Sequence, residues 1–186
     1  IFDKNKSILL RVASECQFGV FGDSHCDCES QRTACLEAIN SHGQGVYIQL
    51  PQEGQGRGLH YKARELQLQV RGIDPGGLFV GKKDIYEASR LLTGSEDVDI
   101  RNFTTLKKIF NELRLTRYSY VLASANPQKA HVLSKDVGIS IIGSQDVQRV
   151  LSLDNVGEYL AKIYKKNFSI SDEDLRIVYD VLFQAK

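Results

Sequence analysis

Apolar residues along this chain switch repeatedly between short continuous runs and helical spacing. Ile8 to Val12, apolar except for Arg11, predicts a strand, and an irregular glycine-containing stretch follows from Gln17 to Cys28. Between residues 29 and 42, Ala34, Ala38 and Ile39 recur at helical spacing beside Cys35, and Gly43 and Gly45 end the pattern. Val46 to Leu50 reads as a strand, QEGQGRG at 52–58 as a glycine-rich turn, and Leu59 to Val70 as a helix of strong helix formers. Gly72, Pro75, Gly76 and Gly77 open a long connection in which Lys83 to Leu92 has room for a short helix. Phe103, Leu106, Phe110 and Leu113 mark an amphipathic helix, and Tyr118 to Ala123 a buried strand. Pro127 fits the first turn of a helix running to Val137 with Gly138 as its stop, and strand Ile139 to Ile142 comes next. Two helices close the chain, Val156 to Lys166 and Asp172 to Gln184, the second opened by Ser171 with Asp174 three residues on.

Such alternation predicts an α/β fold, with a mixed sheet, helices packed on both faces and the last two helices appended. A length of 186 residues suits one domain. The expected division is a main body over residues 1–151 and a helical extension of the same domain over 152–186. Because the chain starts at Ile1 and contains no methionine, an N-terminal strand or two is expected to be missing.

Charge narrows the partners. Lys plus Arg total 24 against 23 Asp plus Glu, so no bulk positive field draws the chain to nucleic acid or a membrane surface. No apolar run approaches the roughly 20 residues of a membrane span. Four cysteines with no secretory signal favour a reducing compartment, taken to be the cytoplasm, with thiols open to metal or catalysis.

Three groups of residues carry candidate chemistry. Cys16, Cys26 and Cys28 are spaced C-x9-C-x-C, and in an extended Cys26-Asp27-Cys28 both thiols face one way and reach a single ion. Three protein ligands with an open fourth position is the catalytic zinc arrangement; scattered thiols, or a structural site closed by His25 or His42, are the plainer alternatives. Cys35 belongs to the core by its place on the apolar face of its helix. In the turn at 52–58, Gly54, Gly56 and Gly58 permit close backbone approach ahead of a helix N-terminus, with Arg57, Lys62 and Arg64 adding charge, although a tight turn needs glycine in any case. Asp99 and Arg101, at i and i+2, present both groups on one side, as an ordinary surface ion pair also would.

In their order, RVASEC (11–16), CDCESQ (26–31), QEG (52–54) with Gly58, Leu59, Lys62 and Arg64, DIRNF (99–103) and SANPQK (124–129) resemble GTP cyclohydrolase II, the zinc enzyme that opens the riboflavin pathway. The resemblance covers residues 11 to about 151, and Asn155, Tyr159, Leu160 and Lys162 are similar to that family's terminal helix. It implies Cys16, Cys26 and Cys28 as zinc ligands, and Arg11, Val12, Ala13, Ser14, Glu15, Gln31, Glu53, Gly54, Gln55, Ser124 and Lys129 at nucleotide-binding positions. Asp99 matches the general base and Arg101 the group that takes the α-phosphate. A guanidinium that stays protonated is better suited to gripping phosphate oxygens than to attack. The implied reaction is hydrolytic opening of the purine imidazole ring, with loss of formate and pyrophosphate. Magnesium bridging the phosphates and a homodimer complete the implied picture.

Departures are specific. Ala13 stands where the family has histidine, Gln55 replaces the arginine of its QEGR turn, and Leu66 occupies its active-site tyrosine position, with Tyr61 and Arg57 as nearby substitutes. Segment 73–98 is longer than usual, leaving Pro75 and Thr93 as candidates for a nucleotide-contacting threonine. A homologue acting on another nucleotide, or a non-catalytic zinc-containing nucleotide binder, are the alternatives these departures raise.

Overall fold

The computed structural model describes residues 2–95, 99–124, 126–147, 152–153, 156–166 and 172–183. Four strands form one sheet: β1 (Ile8–Ser14), β2 (Gly45–Leu50), β3 (Ser119–Ala123) and β4 (Ser140–Gln145). Their order is β2-β1-β3-β4, with Leu10 opposite Val46 on one side and Leu122 on the other. The α/β architecture expected from the sequence is present. All three pairings of this sheet are parallel, however, where a mixed sheet was expected; an antiparallel bridge, Ile73 to Phe79, lies outside it. Parallel strands need a crossover between them, and the helices that alternate with these strands supply it.

Side chains of β1 alternate between two cores. Ile8, Leu10 and Val12 pack with Leu106 and Phe110 of α5 (Thr104–Glu112) and with Leu133 and Val137, which lie in the π-turn that follows α6 (Pro127–Val132). Leu9 faces Cys35 and Ile39 of α2 (Cys28–His42), preceded by a single helical turn, α1 (Gln17–Val20). A strand covered on both faces needs apolar residues at consecutive positions, which explains the uninterrupted Ile8-Leu9-Leu10.

The chain leaves β1 for β2 through α2 on one face, and leaves β3 for β4 through α6 on the other. The connections therefore diverge between β1 and β3, and a crevice opens at the carboxyl ends of those strands. Beside it stand α3 (Leu59–Val70) and α4 (Ile85–Thr93), the latter opened by a capping box in which Asp84 accepts from the backbone of Tyr86 and Glu87. Helices α7 (Val156–Lys166) and α8 (Asp172–Phe183) share a separate small core of Val156, Tyr159 and Val178. Asn155, Ser171, Gln184 and the side chain of Lys162, named in the sequence reading of this tail, lie outside the described residues. No described helix is long and apolar enough to cross a membrane.

Candidate active site

A cavity of about 240 Å³ occupies the crevice beyond β1 and β3. Its first corner is cysteine. Cys16 caps α1 two residues after β1 ends, Cys28 opens α2, and a Cβ on Gly19 would lie 2.9 Å from Cys28 Cβ, so only glycine lets α1 sit this close to α2. The three sulfurs lie within 4.8 Å of one another, with Cys16 Sγ and Cys26 Sγ 3.4 Å apart. Asp27 has φ −85° and ψ 5°, so the Cys26-Asp27-Cys28 segment is not extended as expected; the turn into α2 brings the two thiols together instead. His25 pairs with Asp23 and His42 with Ser7, and among the described residues only the three cysteines form a group with metal-ligand spacing. Cys35 is buried in the core, as expected.

Hydrogen bonds among the three thiols are the largest influence on their acidity, acting in both directions, and burial adds to them. The result holds Cys16 up at about 11 and Cys26 and Cys28 at about 12. Thiols so close cannot all ionise without a cation among them. The set fits zinc: bonds of about 2.3 Å to three tetrahedral sulfurs place those sulfurs about 3.8 Å apart, close to the spacing found.

Along the sheet edge the cavity is cationic. Arg101 donates from Nε to Asp99 Oδ1 at 2.8 Å, from Nη2 to Asp99 Oδ2 at 2.5 Å, and from Nη1 to Ser14 Oγ at 3.2 Å. Arg11 donates to the carbonyl of Ala123 at 2.7 Å and to Gln31 Oε1 at 2.6 Å. Lys129 donates to the carbonyl of Val12 at 2.5 Å. Burial, followed by the charges of Arg11 and Arg101, holds the Lys129 ammonium well below the usual lysine range, while Asp99 pulls the other way. Burial also works against the Arg101 charge, but the Asp99 carboxylate outweighs it and leaves that guanidinium raised. Three cations converging with one carboxylate between them make a seat for a polyanion.

The glycine turn lines the cavity with Gly54 and Gln55 and also braces the Asp99–Arg101 segment. Gln52 clamps Asn102 through Nε2 to its carbonyl at 2.5 Å and through Oε1, which accepts from its N–H at 3.0 Å. A Cβ on Gly56 would meet Ile100 Cγ1 at 3.1 Å, so the turn presses directly on the Asp99–Arg101 segment. Gln55 holds φ +58°, a left-handed conformation that costs a non-glycine residue about 1–2 kcal/mol. Its side chain turns to Glu65 and Ser89, at 3.3 and 3.4 Å. Arg57 lies over the Tyr61 ring, Arg64 bonds His60, and neither lines the cavity.

Of the remaining expected residues, Ala13, Glu15, Gln31, Gly54 and Ser124 line the cavity with Asp99 and Arg101. Val12 and Glu53 do not: Val12 is core, and Glu53 Oε1 accepts from the Gln17 N–H at 2.8 Å. Leu66 is buried away from the cavity, the Tyr61 hydroxyl donates to the Ser89 carbonyl, and Pro75 and Thr93 lie elsewhere. Ile85 and Tyr86, from the first turn of α4, stand on the wall instead. The Asp84–Glu87 capping box was the signal for that turn, since it fixes where α4 begins. Sequence reading also missed Glu65, fully buried on α3, whose carboxylate accepts from Ser89 Oγ at 2.6 Å and pairs with Lys62 at 3.3 Å. Its signal was two charges, 62 and 65, on the same helical stripe as Leu66.

A family model described as GTP cyclohydrolase II matches residues 1–146. The chain belongs to the GTP cyclohydrolase II family. The GTP cyclohydrolase-2 of Neisseria meningitidis is 33% identical over 142 residues, covering 76% of this chain and 64% of that protein. That of Colwellia psychrerythraea is 33% identical over 148 residues, 77% of this chain and 64% of that protein. The riboflavin biosynthesis protein RibBA of Porphyromonas gingivalis is 42% identical over 74 residues, 39% of this chain and 18% of that protein. The chain thus spans 64% of the length of the GTP cyclohydrolase-2 relatives just named. Family membership accounts for the order in which the cysteine corner, the glycine turn and the Asp99–Arg101 pair occur along the chain.

Proposed function

We propose that this chain catalyses hydrolytic opening of the imidazole ring of a purine nucleotide, GTP foremost, with release of formate and pyrophosphate. The product would be a diaminopyrimidinone ribosylamine phosphate of the kind that riboflavin synthesis consumes. One observation carries the reading: three thiols within 4.8 Å of one another, two of them buried and Cys28 half-buried, adjoin the cavity that also holds the Asp99–Arg101 pair and the Arg11 and Lys129 cations. Cys16, Cys26 and Cys28 would hold zinc, which when bound supplies the Lewis acidity that activates water near neutral pH for attack at C8 of the purine.

The chain's own residues do the rest. Arg101, Arg11 and Lys129 grip the triphosphate, and Arg101 does so as a protonated fork. Asp99 is the base: when a phosphate takes its place on Arg101, the carboxylate is freed to accept a proton. The Val12 carbonyl and Ser14 hydroxyl hold Lys129 and Arg101 in place, so two strand-end groups fix the charge that faces the substrate. Magnesium would arrive with the nucleotide and offset part of its phosphate charge. Residues 1–151 as the catalytic domain, 152–186 as its extension, a homodimer and a cytoplasmic location belong to the same reading.

A second reading, a homologue turning over another nucleotide, is favoured by one wall. Gln55 supplies no charge, its amide NH2 is committed to Glu65 and Ser89, and Leu66 offers no hydroxyl to the cavity. Incubation of zinc-loaded protein and magnesium with a panel of purine nucleotides, read by mass spectrometry, separates the readings. Ring-opened product, formate and pyrophosphate from GTP are expected. Consumption of a different nucleotide supports the second reading, and no turnover by zinc-loaded protein overturns both.

A further inference from the structure

Asp27 lies between two of the clustered cysteines, is almost fully buried, and belongs to no set of residues assigned above. Its Oδ2 accepts from Gln31 Nε2 at 2.6 Å, and Gln31 Oε1 in turn accepts from Arg11 Nη2 at 2.6 Å. The direction of this chain is fixed by chemistry. A carboxylate accepts and a guanidinium only donates, so the amide between them has one usable orientation, its NH2 toward Asp27 and its oxygen toward Arg11. The other terminal nitrogen of Arg11 is held by the Ala123 carbonyl at 2.7 Å, while its buried Nε has no protein hydrogen-bond partner among the described residues. The guanidinium is therefore aimed by two bonds at its tips, and one of them depends on Asp27.

We propose that Asp27 is a positioning residue: through the Gln31 amide it orients the Arg11 guanidinium in the cavity, tying the turn between Cys26 and Cys28 to the seat of the nucleotide phosphates. The inference rests on the nucleotide reading of the cavity given above. It makes the polarity of residue 31, rather than its size, the quantity that matters. Gln31→Glu is nearly isosteric but sets an acceptor against the Asp27 acceptor at a separation of 2.6 Å in the native pair. Asp27→Asn then restores a donor opposite the carboxylate introduced at position 31, whose other oxygen still accepts from Arg11.

The test is calorimetric titration of zinc-loaded protein with a non-hydrolysable guanosine triphosphate analogue, with zinc content and thermal unfolding measured for every variant. Gln31→Glu is expected to weaken binding at least tenfold at unchanged zinc content, and Asp27→Asn/Gln31→Glu to recover to within threefold of the native protein. A double variant no better than the single one, or a Gln31→Glu protein with native affinity, overturns the inference while leaving the nucleotide reading intact. Should Gln31→Glu fail to fold, Asp27→Leu replaces it: a loss of at least fivefold in affinity with zinc retained is expected, and native affinity overturns the proposal. If the native zinc-loaded protein binds no analogue at all, the nucleotide reading fails and this inference fails with it.

Discussion

The two sides of the cavity are built by different rules. On the sheet side, Arg11 and Ser14 belong to β1, Cys16 and Ser124 follow the carboxyl ends of β1 and β3, and Lys129 comes from α6 with its ammonium tied to the Val12 carbonyl. On the helical side, Gln55, Lys62, Glu65, Ile85 and Tyr86 come from a strained turn and two helices joined by the Glu65–Ser89 and Tyr61–Ser89 hydrogen bonds. Most of the family's motif residues sit on the sheet side or at the Asp99–Arg101 segment that the glycine turn supports. Of the three departures, Gln55 lines the helical side and Leu66 lies on α3 away from the cavity. Under the proposed function, phosphate-binding charge and the metal ligands would lie mostly on the sheet side, and substrate discrimination would fall to packing between helices, which tolerates change.

The cysteine corner gives the sharpest break. Cys28→Ser removes one of three soft ligands and is expected to abolish zinc retention and reduce turnover at least 1,000-fold, checked by metal analysis and product formation. Far-ultraviolet dichroism should remain native, because the two sheet cores do not include this residue. An unfolded variant would mean that the metal holds the fold together instead.

The helical side breaks through stability first. Glu65→Leu leaves Lys62, nearly buried, without its carboxylate, and is expected to cost about 3–5 kcal/mol in denaturant unfolding. Lys62→Met in the same protein should recover most of that loss, since an apolar pair of similar volume replaces a buried ion pair at little net cost. Failure of the second change to help would show that Ser89 and Gln55, which also donate to Glu65, carry the energy.

How much of this was legible in the sequence follows the same division. Strands and helices with a local signature appear where periodicity placed them: α3 spans Leu59–Val70 and α7 Val156–Lys166, the limits expected. Gly43 and Gly138 stop their helical segments in the left-handed conformation, as their places after apolar periodicity require. The cysteine trio was visible from spacing, but its geometry was not, because Asp27 turns the chain where alternation assumed an extended pair. Long-range pairings left no local trace. Gln52 meets Asn102 across 50 residues, Glu65 meets Ser89 across 24, and each looks like an ordinary polar residue until the fold juxtaposes them.

At the Asp99–Arg101 segment, Arg101→Ala removes the fork that Asp99 and Ser14 hold, and is expected to weaken nucleotide binding by about 2 kcal/mol, roughly 30-fold. Arg101→Lys should restore only part of this, since an ammonium does not reproduce the bidentate geometry. Equal recovery by lysine would mean that Arg101 acts as a point charge.

Lys129 offers the finest measurement. Burial and the charges of Arg11 and Arg101 hold its pKa down in the free protein. A polyanion seated among the three cations removes the repulsion and favours the ammonium, so the pKa must rise on binding and a proton must be taken up. The sign follows from linkage: between the depressed value of the free protein and the higher value of the complex, affinity increases as pH falls, by at most tenfold per unit for one proton. Titrations in buffers of different ionisation enthalpy measure that uptake directly. Lys129→Gln should abolish both the uptake and the slope, while Asp99→Asn should enlarge them, because it removes the one carboxylate that opposes the shift. Uptake that persists in Lys129→Gln would place the titrating group outside the cationic seat and leave the sheet side with two working charges instead of three.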